Sequence, residues 1–63
     1  MIKLRYVHWQ DGNHQLGYFE DYPDYITQGE SREELIENLK DLYGDLTSGV
    51  IPHIRKVDEM VLA

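Results

Sequence analysis

Sixty-three residues make one domain with a small core, since a chain of this size buries only about 60% of the surface that its unfolded form exposes. Twelve carboxylates against six Lys and Arg give a formal charge of −6; this argues against nucleic acid as a direct partner, because phosphate binding is driven by Lys and Arg, and favours a basic protein surface. Cysteine is absent, which excludes disulfides and thiolate metal sites, and no run approaches the roughly 20 apolar residues of a membrane helix.

The first segment, Met1-Ile2-Lys3-Leu4-Arg5-Tyr6, is too short and too polar for a signal peptide, so a cytoplasmic location is expected. Residues 2–10 alternate, with Ile2, Leu4 and Tyr6 on one face and Lys3 and Arg5 on the other, which is the period of a strand. Val7 and Trp9 interrupt the polar face, so the second half of the strand reads as covered on both sides. Asp11-Gly12-Asn13 carries the Asp-Gly hairpin signal. Residues 16–20 read as the returning strand, in which alternation sends one of Tyr18 and Phe19 inward and the other outward.

Pro23 forces Tyr22 into an extended conformation and cannot donate to a sheet, so residues 21–24 are a connection. Residues 25–28 read as a short third strand, ended at Gly29 by a backbone angle that suits glycine. Ser31-Arg32-Glu33-Glu34 is a capping box, in which the Ser31 hydroxyl accepts from the Glu34 amide and the Glu34 carboxylate reaches back to Ser31. Leu35, Ile36, Leu39, Leu42, Tyr43 and Leu46 form an apolar stripe at helical spacing, with Glu33, Glu37, Lys40, Asp41 and Asp45 mostly off it. Gly49 suits a C-terminal cap and Pro52 a stop. A last strand is expected around residues 55–62. The class is α+β, with the order β-β-β-α-β. A right-handed crossover would lay the last strand parallel to the first, giving a two-layer sandwich of one helix on a mixed four-stranded sheet.

The run Leu16-Gly17-Tyr18-Phe19-Glu20-Asp21-Tyr22-Pro23, followed by Ile26-Thr27-Gln28-Gly29-Glu30-Ser31-Arg32-Glu33-Glu34-Leu35 and continued by Ile36-Glu37-Asn38-Leu39, resembles the HicB antitoxin family. The resemblance spans residues 2–46. It implies a reduced ribonuclease-H-like fold and a partner of the HicA type, a small basic messenger-RNA-cleaving toxin whose RNA-binding and catalytic surface the antitoxin covers. Glu20 and Asp24-Tyr25 depart from the common family pattern. The residues after Leu46 are too few for a DNA-binding domain of the kind many members carry, so direct operator binding is not expected; a homo-oligomer stays open.

An enzyme is not expected. Ribonuclease-H-like nucleases hold metals with a carboxylate in the middle of the first strand, and residues 2–10 contain none. Glu20, Glu34 and Asp58 lie far apart in sequence. His8, His14 and His53 lack helical metal-site spacing, and no histidine–acid pair stands beside a nucleophile. No catalytic residue, metal or cofactor is therefore assigned. The expected partner-binding residues are Glu20, Asp21, Tyr22, Asp24 and Tyr25, where three carboxylates and two tyrosines fall within six positions. At least one of the tyrosines is expected to be exposed, as interface anchors are, and the acidic helix stripe Glu33, Glu37 and Asp41 is expected to be solvated. Lys3, Arg5, Arg55 and Lys56 could form a basic patch only if the first and last strands are neighbours. The alternatives are a domain for a non-toxin basic protein and a DNA-binding autoregulator.

Overall fold

A computed structural model describes residues 2–62. Three antiparallel strands, β1 (Tyr6–Asp11), β2 (His14–Phe19) and β3 (Thr27–Gly29), are followed by one helix, α1 (Arg32–Ser48). The sheet order is β1-β2-β3.

Tyr6 stands opposite Phe19 and Asp11 opposite His14, which leaves Gly12-Asn13 as a two-residue loop. Gly12 takes φ +61° while Asn13 stays negative, the pattern of a type II′ turn with glycine first. The Asp-Gly signal therefore marks the hairpin, but the glycine works one position earlier than a type I′ turn would place it. Pairing puts Tyr6, His8, Gln10, Gln15, Gly17, Phe19, Thr27 and Gly29 on one face of the sheet, and Val7, Trp9, Asp11, His14, Leu16, Tyr18 and Gln28 on the other.

The helix covers the first face. Ser31 is its N-cap and accepts from the Glu34 amide at 3.1 Å. The Glu34 carboxylate accepts from the amide of Glu30, at 3.3 Å, instead of returning to Ser31. Gly49 closes the helix in the left-handed region at φ 85°. Leu35, Leu39 and Leu46 are buried with Phe19; Leu42 and Tyr43 pack against them. The expected stripe is thus the core-facing one, and of the aromatic pair Phe19 points in and Tyr18 out.

Gly29 is not needed for its backbone angle, because its φ is not positive. It is needed for space. A Cβ there would stand 2.6 Å from the Leu35 amide nitrogen and 2.9 Å from the Glu34 carbonyl carbon. The first turn of the helix rests directly on the end of β3.

The expected fourth strand is not formed. From residue 50 to 62 the described chain enters no ladder. It is held by Ile51 and Ile54 against the core, by the Val57 amide donating to the Asp21 carbonyl at 2.8 Å, and by the Arg55 amide reaching the Tyr25 hydroxyl at 3.4 Å. One backbone bond does not make a ladder, and the segment's irregular alternation gives it no single face to bury. The sheet among the described residues is therefore three-stranded and antiparallel, and Arg5 and Arg55 are not brought together on neighbouring strands.

Two glycine substitutions separate these effects. Gly29→Ala should destabilise by about 1–3 kcal/mol, as overpacking against backbone does. Gly44 is exposed, within the helix, and a Cβ there meets nothing within 4 Å, so Gly44→Ala should stabilise by up to about 1 kcal/mol. Urea unfolding followed by circular dichroism measures both.

Candidate interaction surface

The five residues expected to meet a partner lie in the turn and loop after β2. The Tyr22 amide donates to the Phe19 carbonyl at 2.9 Å and the Tyr25 amide to the Tyr22 carbonyl at 3.2 Å, so the loop is two successive turns. These turns direct Tyr22 and Tyr25 inward: both are half-buried and pack against the core cluster. The expectation that one of them is exposed is not met. A tyrosine this close in sequence to Phe19 has apolar surface to cover, and in so small a domain the core offers the nearest apolar surface.

Glu20, Asp21 and Asp24 do stay at the surface. Glu20 pairs with Arg5 at 3.1 Å and Asp24 with Arg55 at 3.7 Å. All four side chains are at least half exposed, so each pair contributes only about 0–1 kcal/mol and is exchangeable for an external cation. The helix stripe Glu33, Glu37 and Asp41 is exposed as expected, with Glu37 beside Lys40 at 3.5 Å.

The aromatic surface lies on the outer sheet face instead. Val7 and Trp9 are 39% and 38% exposed. Trp9 and Tyr18 meet edge to face, with ring centroids 5.9 Å apart. Leu16 stands opposite Trp9 and Tyr18 opposite Val7, so four apolar side chains form one block. No described element covers it. The apolar residues Val7 and Trp9 imply burial on that face as well; the helix, however, packs on the other one. This block is bordered by the Arg5–Glu20 pair at one end and by Asp11 and His14 at the other.

Among the described residues, no group of three or more His, Asp or Glu could hold a metal ion. No helix there is long and apolar enough to cross a membrane. Glu20, Glu34 and Asp58 do not converge.

Replacement of the two inward tyrosines should act on folding. Tyr22→Ala and Tyr25→Ala should each lower the unfolding free energy by about 2 kcal/mol or more, as truncating packed aromatics does. Trp9→Ala, on an exposed face, should cost about 1 kcal/mol or less. Thermal and urea melts of the three variants check the order. Searches for similar proteins found no family model, no curated protein and no solved structure that matches this chain.

Proposed function

We propose that this chain is a protein-binding module without catalytic activity, an antitoxin of the HicB kind that covers the RNA-binding and catalytic surface of a small basic ribonuclease in the cytoplasm. The observation that carries the reading is the bare outer sheet face. It holds Val7, Trp9, Leu16 and Tyr18 in one block, bordered by Glu20, with exposed Asp21 and Asp24 in the loop that follows. An aromatic centre with a charged border is the anatomy of a protein interface. The charge of −6 selects a cationic partner and speeds encounter with it. A ribonuclease must present Lys or Arg to phosphates, and the carboxylates after β2 can take the place of those phosphates.

The resemblance of residues 16–39 to the HicB antitoxins supports the same reading. The order β-β-β-α matches the start of the reduced ribonuclease-H-like domain that the resemblance implies, with a fourth strand of a mixed sheet still to be added at the open side of β1. The acid of β1 is at its last position, Asp11, beside the turn, away from the strand centre where a two-metal nuclease needs one.

The partition between aromatic anchor and acidic border differs from the one expected from sequence. Trp9 and Tyr18 take the anchoring role, and Glu20, Asp21 and Asp24 the border. Co-expression with a basic ribonuclease encoded beside this chain should give a stable complex and restore growth. Trp9→Ala with Tyr18→Ala should weaken the complex by well over about 1 kcal/mol, as anchor truncations do. Glu33→Ala with Glu37→Ala should weaken it by less. Titration calorimetry at two salt concentrations reads both, with faster association at low salt. Loss on the helix pair alone would move the interface to the helix. Absence of any complex would remove the antitoxin reading, and RNA cleavage by the isolated chain, lost on mutating one of its own acids, would remove the non-enzymatic one.

A further inference from the structure

The helix sits over β2 and β3 and leaves β1 beside it. Long side chains alone bridge the gap, as where Arg32 donates to the Tyr6 hydroxyl at 2.8 Å. Between β1 and the helix lies an apolar groove of about 200 Å³, walled by Leu4, Tyr6, Phe19, Ile36, Leu39 and Tyr43 with Lys40 among them.

The same side of β1 is an unpaired sheet edge. The Glu20 amide donates to the Arg5 carbonyl, and Tyr6 stands opposite Phe19. In an antiparallel ladder hydrogen-bonded pairs alternate, so Val7, Trp9 and Asp11 bond to β2, while the N–H and C=O groups of Tyr6, His8 and Gln10 face away from it. No backbone partner exists for them among the described residues. Edges of this kind are normally guarded by Lys, Pro or a bulge. The sequence of β1, YVHWQD, has neither residue and its register runs without a bulge.

The chain also carries an unpacked segment suited to such an edge. Beyond Val57, Met60, Val61 and Leu62 are 83%, 94% and 83% exposed. The molecule measures 45 Å along its long axis, and its radius of gyration is 13.1 Å; a compact chain of this length would have about 11 Å. In an added strand, Asp58, Met60 and Leu62 would share one face and Val57, Glu59 and Val61 the other. Apolar residues on both faces fit an edge that is apolar on both: the groove on the inner side, Val7 and Trp9 on the outer. Asp58 would stand on the side of Lys40.

We propose that residues 57–62 of one copy add as a strand to the open edge of β1 in a second copy, seating Met60 and Leu62 in its groove, and that this exchange makes the protein a dimer. Within one chain the segment is rooted by Val57 on Asp21, on the continuation of β2, one strand away from the open edge. Exchange between copies keeps that bond. The inference stands apart from the identity of any ribonuclease partner.

The absence of cysteine makes a direct test available. His8→Cys and Met60→Cys chains, one of them isotope-labelled, are mixed, oxidised and analysed by mass spectrometry. A mixed disulfide in large excess over either homodimer is expected. Sedimentation equilibrium should show a dimer whose dissociation constant rises by about tenfold or more in Met60→Glu with Leu62→Glu; that variant should keep its circular dichroism, since both residues are exposed in the monomer. Four results would overturn the proposal: a monomer at all concentrations, a dimer indifferent to the two glutamates, preferential cross-linking of Met60→Cys to Leu16→Cys on the outer face, or an internal disulfide without dimer in a chain carrying both His8→Cys and Met60→Cys.

Discussion

The fold depends on the seating of one leucine. Leu35 is fully buried. It stands over Gly17, where a Cβ would lie 3.3 Å from its side chain, and over Gly29, where a Cβ would strike its backbone. Two glycines on neighbouring strands let the first turn of the helix approach the sheet more closely than any side chain would permit. The Ser31 cap then begins the helix at that point, and the Asn38 side chain donates to the Gln28 carbonyl at 2.6 Å, fixing the helix along β3. With the helix drawn toward β2 and β3, β1 is left bare. The groove and the open edge are consequences of where two residues lack a Cβ.

The remaining core is small. Phe19, Leu35, Leu39 and Leu46 are its buried members, and the partly buried ring around them recruits Tyr22, Tyr25, Ile51 and Ile54 from the loop and the tail. A domain of this size has little stability to spare. Every apolar side chain that can reach the core is drawn in, which is why two tyrosines that look like surface anchors in the sequence serve as packing. The aromatics that cannot reach it are those on the opposite sheet face. Trp9 and Tyr18 are held outward by the period of the strand. A ligand that covers them and binds only the folded state adds directly to folding stability, so an exposed aromatic face and a marginal core belong to the same design.

Local signals were legible in the sequence where one interaction decides the outcome. The Ser31 cap, the helical stripe, the hairpin and the opposite fates of Tyr18 and Phe19 each follow from period or from a side chain bonding its own neighbourhood. What was not legible depends on placement between elements. Val7 and Trp9 look buried in sequence because apolar residues on both faces imply two covers, and only the position of the helix shows that one cover is missing. Gly29 looks like a turn glycine until the helix is known to rest on it. The last strand was expected from β-branched composition and from a crossover rule that presumes a ladder, and residues 50–62 instead spend their two isoleucines on the core. Of the candidate site, the exposure of the carboxylates Glu20, Asp21 and Asp24 is legible because charge keeps them at the surface, while the half-burial of Tyr22 and Tyr25 is not, because amphipathic rings go wherever the nearest apolar surface lies.

Charge then links these surfaces. The carboxylates Glu20 and Asp24 are already paired, with Arg5 beside β1 and with Arg55 at the root of the tail. Both pairs are exposed and weak, so a cationic partner with better geometry would displace them. Displacing Arg55 removes one of the contacts that hold the tail, leaving Ile51 and Ile54 on the core, the Val57–Asp21 bond and the Arg55 amide to Tyr25. On the proposed reading, partner binding at the acidic loop and docking of residues 57–62 on a second copy therefore act on the same short segment. Any preference of the partner for one position of the tail must appear, by the reciprocity of linked equilibria, as an equal effect of the tail on partner affinity. The sign follows from Arg55: if its pairing with Asp24 steadies the tail root for strand exchange, a partner that takes Asp24 weakens the dimer, and a dimer resists the partner by the same factor.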